Sequence, residues 1–154
     1  MNFDQKKMEV IRFLILAAQR EGERILQDLT KSIGITPAQS EVIHILDLYE
    51  PMSLKELGSL LICESGSPSR LVSTLVQRGF VIRKENREDR RYVSLQLSPL
   101  GKEKAKEIKS VDEKMYEAMV PNFDSRKMSA LYDALVDVFK DHPSAEALKK
   151  RKLI

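Results

Sequence analysis

Residues 66–83 of the chain read GSPSRLVSTLVQRGFVIR. Ser67 followed by Pro68 is a typical helix start, because serine caps helix N-termini and proline fits the first helical position. Gly79 is the kind of residue that commonly ends a helix. Between them, apolar residues recur at helical spacing, at Leu71, Val72, Leu75 and Val76. The stretch therefore predicts a short helix over about residues 67–78 with one buried face.

The polar face of this predicted helix carries mostly hydroxyl groups. A helix that enters the major groove of DNA needs an apolar rear and short hydrogen-bonding side chains in front. A solvent-exposed helix without a partner would show a similar face, so the helix alone does not decide between these interpretations. On the DNA hypothesis, the contacting residues in and just before the helix are Ser65, Ser67, Pro68, Ser69, Arg70, Ser73, Thr74 and Gln77.

Downstream of this helix, the spacing of the apolar residues changes to two. Val93, Leu95 and Leu97 alternate with polar residues, which predicts a strand with one buried face. Residues 80–84 are its expected partner strand. The capping box Ser53–Glu56 predicts another short helix just before residues 67–78, and two short helices followed by a hairpin form a winged helix-turn-helix.

The loop between the two strands is strongly cationic. Arginine at the tip of a thin hairpin can enter the minor groove, where the negative potential is enhanced. We predict that this wing, about residues 83–92, lies in the minor groove. Its DNA-contacting residues are Lys84, Arg87, Arg90 and Arg91. Asp89 is expected to hold Arg91 in a fixed orientation and so to shape the loop.

The charge distribution supports a localised phosphate-binding surface. The whole chain carries a net charge of +3. Residues 67–104 contain nine Lys or Arg and four Asp or Glu, so this segment carries +5 and the remainder −2. A positive stretch on a nearly neutral body is expected of a nucleic-acid-binding protein.

Two capping boxes and a long apolar pattern predict the helices that come before the helix over residues 67–78, the candidate recognition helix. The first helix spans about Asp4–Lys31 and ends near Gly34. Thr36–Gln39 opens the next helix. Ser53–Glu56 opens a short one that closes around residues 61–62.

Two further helices are predicted after the hairpin. Ser98-Pro99 opens the first, and Asp124 or Asn122 caps the second, which has an apolar stripe. The basic tail Lys149–Lys152 is expected to fray. These helices have more apolar surface than one chain can cover, as does the stretch from Val10 to Ala18, and this favours a dimer.

The predicted fold class is therefore mostly α (α+β), with a two-stranded wing. Residues 35–98 are expected to form the winged helix-turn-helix lobe. Residues 1–34 and 99–154 are expected to form the helical dimerisation region.

Other function classes are disfavoured. The start of the chain has no signal peptide, and the longest apolar run is far shorter than the roughly 20 residues that span a bilayer, so we expect a cytoplasmic protein without membrane contact. Motifs for phosphate loops, esterases and zinc proteases are missing from the sequence. His44 and His142 have no companions at metal-ligand spacing. We therefore expect that the protein is not an enzyme and that it binds neither a metal nor a cofactor.

Several motifs together resemble the MarR family of winged-helix transcriptional regulators. Residues 66–72 and 75–83 are similar to the family's recognition helix and first wing strand, and residues 89–91 to its D-x-R wing. Leu97-Ser98, followed by Gly101, is similar to the L-T-x-x-G after the wing. Ser98 replaces the usual threonine, a mild departure because serine caps a helix equally well. Each motif is loose, but their order and spacing cover nearly the whole chain.

The resemblance implies a two-fold homodimer whose first, fifth and sixth helices interlock beneath two winged lobes. Its two recognition helices would read a near-palindromic operator in double-stranded DNA, with half-sites roughly 34 Å apart. The leading hypothesis is a sequence-specific repressor modulated by a small aromatic or lipophilic effector, whose binding residues are unknown.

Two alternatives stay open. The winged helix could serve as a protein–protein interaction module, although an apolar wing tip would then be expected. The chain could also be a redox-sensing regulator acting through Cys63, just before the recognition helix. The resemblance places a reactive cysteine in the first helix, where this chain has none. A lone cysteine beside Leu60, Leu61 and Ile62 is more often a small buried hydrophobe.

Overall fold

The chain divides into two compact units, residues 1–37 and residues 38–154. The computed structural model describes residues 3–62, 66–85, 93–119, 121 and 123–154. Within these ranges, no helix is long and apolar enough to cross a lipid bilayer.

The first unit is dominated by one long helix, α1, over Phe3–Ser32, which confirms the predicted helix. Gly34 follows the helix with a φ of +73°, in the left-handed region that glycine adopts without strain. The backbone N–H of Ile35 then donates to the carbonyl of Thr30 at 3.0 Å and satisfies a helix-end acceptor. In the single chain, α1 exposes between 44% and 62% of each of six apolar residues: Val10, Ile11, Phe13, Leu14, Ile15 and Leu16.

The second unit contains the other helices and the hairpin. Its elements in chain order are α2 (Pro37–Tyr49), α3 (Leu54–Gly58), α4 (Pro68–Gln77), β1 (Val81–Glu85), β2 (Val93–Leu97), α5 (Pro99–Met119), α6 (Ser125–Phe139), a 3-10 turn (Pro143–Ala145) and α7 (Glu146–Lys150). Helix α2 begins at the last residue of the first unit.

One apolar core joins α2, α3, α4 and the two strands. Its largest fully buried side chains are Val42, Ile43, Ile45, Leu46, Leu57, Val72, Leu75, Val81 and Leu95. Burying each such side chain contributes about 1.5–3 kcal/mol to the stability of the lobe. The predicted apolar stripes of these elements therefore do face the interior.

The hairpin is antiparallel, with Val81 opposite Leu97 and Glu85 opposite Val93. Leu95 and Leu97 are buried, as predicted, but Val93 is 37% exposed. Val93 lies at the outer end of β2, beyond the edge of the core. Met52 forms an isolated bridge to β2, because its N–H and carbonyl both bond to the backbone of Leu95.

Helix α3 begins at the predicted capping box. The Ser53 hydroxyl accepts from the N–H of Glu56, and the Glu56 carboxylate accepts from the N–H of Ser53 at 2.7 Å. The expected end at residues 61–62 is wrong, because α3 stops at Gly58. Ser59 ends it by donating its hydroxyl proton to the Glu56 carbonyl at 2.8 Å. Glycine and serine are poor helix formers, so the turn toward α4 starts here.

The C-terminal tail is ordered rather than frayed, which corrects the sequence-based expectation. Helix α7 ends at Lys150, and Lys152 after it has a φ of +54°. The N–H of Leu153 donates to the carbonyl of Leu148 at 2.9 Å, as in a Schellman motif. This motif and the side chain of Arg151, which is only 13% exposed, fix the last turn.

Candidate nucleic-acid interface

Helix α4 is anchored from behind and capped at its start. Val72 and Leu75 are fully buried, so the opposite face of the helix points outward. The Ser67 hydroxyl accepts from the N–H of Arg70 at 3.5 Å and lies 2.8 Å from the Ser69 hydroxyl. Pro68 occupies the first helical position. The helix predicted over about residues 67–78 is therefore present, with the predicted cap.

The predicted contact residues on α4 share one side of the helix but differ in exposure. Ser67, Ser69, Arg70 and Gln77 are exposed, whereas Pro68, Ser73 and Thr74 are half-buried. The Thr74 hydroxyl donates its proton to the Arg70 carbonyl at 3.1 Å. The first two turns thus provide the most accessible hydroxyl and guanidinium groups.

The wing is tied to α4 by an arginine on its first strand. The Nη2 group of Arg83 donates to the Ser73 hydroxyl at 3.0 Å. Arg83 lies within the predicted wing but was not predicted as a contact residue, because spacing alone does not show which arginine faces the helix. Lys84, the next residue, is exposed on the opposite face of β1.

The remaining predicted contacts lie outside the described residues. They are Ser65, Arg87, Arg90 and Arg91, together with Asp89 and the candidate redox residue Cys63. Their assignments stay predictions from the sequence.

Arg78, at the C-terminal end of α4, is used inside the lobe. Its Nη1 group donates to the side-chain oxygen of Gln39 at 2.9 Å. Its guanidinium also lies 5.0 Å from the centre of the Phe80 ring, within the range of a cation–π contact. These contacts connect the end of α4 to α2 and to the start of the wing.

A tight junction connects the wing to α5. The Ser98 hydroxyl donates to the carbonyl of Gly79 and accepts from the N–H of Gly101. A Cβ atom on Gly101 would collide with the carbonyl oxygen of Phe80. Only glycine therefore allows α5 to start this close to β1, which is the physical reason for the glycine in this motif.

A groove of about 630 Å³ lies between the outer face of the wing and the first turns of α5. Ile82, Leu97 and Pro99 give it apolar walls. Three lysines also line it, namely Lys84, Lys102 and Lys106. Two of them are paired: Lys102 lies 3.4 Å from Glu50, and Lys106 lies 2.8 Å from Glu103.

Comparisons with known proteins agree with this architecture. Residues 35–93 match the model of the MarR family. The organic hydroperoxide resistance transcriptional regulator of Bacillus subtilis is 32% identical over 110 residues, which cover 69% of this chain and 75% of that protein. The HTH-type transcriptional regulator SarZ of Staphylococcus epidermidis is 26% identical over 91 residues, covering 59% of this chain and 62% of SarZ.

Solved structures share the fold. A MarR-like transcription regulator from Bacillus cereus superimposes with a TM-score of 0.79 at 18% identity, covering 89% of this chain and 99% of that one. A MarR mutant from Escherichia coli complexed with operator DNA gives a TM-score of 0.73 at 21% identity, covering 90% and 99%. These similarities confirm the predicted helical fold with a two-stranded wing. The chain belongs to the MarR family of transcriptional regulators.

Proposed function

We propose that this chain binds double-stranded DNA sequence-specifically, with α4 in the major groove and the wing in the minor groove. The observation that carries the proposal is the exposed polar face of α4, held outward by buried Val72 and Leu75. The hydrogen bond from Arg83 to Ser73 also supports the proposal, because it links the wing to α4 and so favours contact of both with the same duplex. Hydroxyl groups and arginine are suited to phosphates and base edges.

The comparison with the Escherichia coli protein supports the same proposal. That MarR mutant was solved with operator DNA, and its fold matches 90% of the length of this chain. The exposed arginine on α4, Arg70, lies in the turn that follows the N-cap, where recognition helices commonly contact base edges.

The proposed DNA-binding species is a homodimer. The apolar residues of α1 are exposed, and α6 has no buried residue among those described. The stripe on α6 includes Leu131 and Val138, which are 50% and 61% exposed. Apolar surface of this extent favours burial in a subunit interface. We therefore assign residues 1–34 and 99–154 to dimerisation and residues 35–98 to the DNA-binding lobe, and the two-fold symmetry predicts a near-palindromic operator.

We further propose that the chain is a repressor that responds to a small aromatic or lipophilic effector. The groove beside the wing combines apolar walls with three lysines and with Glu50 and Glu103, so its lining carries a net charge of +1, which suits an aromatic carboxylate. An effector of this kind would act only if it bound one spacing of the two lobes better than another.

Selection of bound duplexes from a random pool tests these proposals together. We expect enrichment of a near-palindrome, and an affinity that falls steeply as salt rises. Repeating the selection with benzoate tests the effector proposal, since the enriched duplex should then be released. Recovery of random sequences by the pure protein would contradict sequence-specific binding. Stoichiometric capture of one protein without any duplex shift would instead favour an interaction module.

A further inference from the structure

The last turn of the chain forms a buried ion pair with the DNA-binding lobe. Nη1 of Arg151 lies 2.8 Å from Oε1 of Glu41 on α2. The two side chains are only 13% and 7% exposed. Arg151 is held in place by its own helix end and by Tyr49, whose hydroxyl donates to the Arg151 carbonyl at 3.2 Å.

The same carboxylate also holds the backbone that leads to the recognition helix. Both oxygens of Glu41 accept from the N–H of Ile62, at 3.0 and 3.1 Å. Ile62 lies between the end of α3 and Ser67, the cap of α4. Arg151 therefore helps to fix the orientation of a carboxylate that also accepts from the backbone of the turn in the helix-turn-helix.

Loss of Arg151 would leave the buried carboxylate of Glu41 without this cationic partner. A buried carboxylate that loses its cationic partner is strongly disfavoured, and water or a side-chain rearrangement must replace the missing contact. Rearrangement of Glu41 would remove the acceptor of the Ile62 N–H. The core behind α4 is built on the apolar side chains of Val72 and Leu75, so its packing does not depend on the charge of Arg151 or Glu41.

We propose that Arg151 is a positioning residue for DNA recognition. Through Glu41, it holds the backbone at Ile62, ahead of α4, so that the exposed face of the helix is placed on DNA. This inference rests on the proposed DNA-binding function, but it adds a role for a C-terminal segment outside the winged lobe. Arg151 acts without touching DNA.

The first test measures the backbone directly in the full-length protein. Amide hydrogen exchange at Ile62 is compared with exchange at Leu46, a core position on α2, in wild type and in Arg151→Gln. We expect exchange at Ile62 to become about tenfold faster or more while Leu46 changes little, because local opening is separate from global unfolding. The matched control is Lys150→Gln, which removes the same charge from an exposed neighbour. Unchanged exchange at Ile62 would overturn the proposal.

The second test separates positioning from phosphate contact. Affinity for the selected duplex is measured over a salt series for wild type, Arg151→Gln, Glu41→Gln and the double variant. We expect each single variant to lose about tenfold in affinity. The double variant should lose no more, because the two residues act as one unit. The slope of log K against log salt should stay unchanged.

Two results of the second test would contradict the inference. A slope smaller by about 0.9 in Arg151→Gln would show that Arg151 neutralises a phosphate instead. Wild-type affinity retained in both single variants would also overturn it. If Arg151→Gln does not fold, Arg151→Lys keeps the charge but loses the planar fork, and an intermediate rate at Ile62 is expected. Absence of duplex binding by wild type would defeat the proposed function, while the exchange result at Ile62 would still show whether Arg151 fixes the backbone ahead of α4.

Discussion

Arg83 on the first wing strand donates a hydrogen bond to Ser73 on α4, with 3.0 Å between Nη2 and Oγ. The two residues are ten positions apart and belong to the two elements proposed to occupy adjacent grooves. Because the bond joins the elements directly, the angle between wing and helix is partly set before DNA is met. Part of the ordering cost of binding is thereby avoided.

The first prediction concerns this bond. Arg83→Ala is expected to lower affinity for the selected duplex roughly fivefold, since a charged hydrogen bond in an exposed setting is worth about 1 kcal/mol. Fluorescence anisotropy measures the effect. Ser73→Ala should give a similar loss, and the double variant should be no weaker than Arg83→Ala. Additive losses would mean that the two side chains contact DNA independently.

The second prediction separates base contacts from phosphate contacts. Arg70→Ala should relax sequence preference at one position of each half-site by about 1–3 kcal/mol, because Arg70 is exposed early in α4. Arg91→Ala should weaken all duplexes alike and reduce the salt slope by about 0.9. Binding of a panel of single-base operator variants distinguishes the two. An unchanged sequence preference of the Arg70→Ala protein would contradict the proposed placement of α4 in the major groove.

The third prediction concerns the capping box of α3. Ser53→Ala should destabilise the protein by about 1 kcal/mol, and lower the Tm by about 2–4 °C, because the N–H of Glu56 loses its acceptor. Ser59→Ala, which affects the other end of α3, is the comparison variant. Thermal unfolding followed by circular dichroism measures both.

Glu56 gives the same box a pH dependence. Hydrogen bonds from the backbone and side chain of Ser53 lower the pKa of Glu56 below its ordinary value of 4.5. A lowered pKa means that the carboxylate stabilises the fold above pH 4.5, and that this contribution is lost as the pH falls through the folded-state pKa. Glu56→Gln should therefore lower the Tm at pH 7 and have a shrinking effect below pH 4.5. An effect that is constant with pH would contradict a role for the charge.

The fourth prediction has the opposite sign. Burial raises the pKa of Asp112 above its ordinary value of 3.8, although the electrostatic interaction with His44 opposes the shift. The folded state therefore binds the proton more tightly, so the charged carboxylate destabilises the fold above its folded-state pKa and the cost disappears below pH 3.8. Asp112→Asn should raise the Tm at pH 7 and have little effect below pH 3.8. Chemical unfolding at the two pH values measures the difference, with exposed Glu113→Gln as control.

The fifth prediction tests the proposed dimer. Leu131→Glu places a charge in the exposed apolar stripe of α6 and should convert the dimer to monomer in sedimentation experiments. Ser129→Glu, on the same helix, adds the same charge outside that stripe and should leave the dimer intact. The monomer should keep its helical content but lose affinity for the palindrome. A Leu131→Glu protein that remains dimeric would place the subunit interface elsewhere.

Local patterns in the sequence were sufficient to predict most of the fold. The Ser67-Pro68 start of α4 and the alternation in β2 were confirmed because caps and strand alternation depend on neighbouring residues. The end of α3 was placed too late, since Leu60, Leu61 and Ile62 continue an apolar run after the helix has closed at Gly58.

Long-range contacts could not be predicted in the same way. Glu41 and Arg151 are 110 positions apart, and neither charge has a local signal that distinguishes it from a solvated surface residue. The basic composition of residues 149–152 even favoured a frayed tail. The pairing of Arg83 with Ser73 was missed for the same reason, because the tilt of the wing decides which arginine reaches α4.

Gly101 has a mechanical consequence for the wing. With no room for even a methyl group between α5 and the carbonyl of Phe80, the first turn of α5 and the base of β1 have no slack between them. A shift of the first turn of α5 toward β1 would press on the Phe80 carbonyl, so we expect the start of α5 and the base of the wing to move together. The inclination of α5 is therefore expected to influence the reach of the wing.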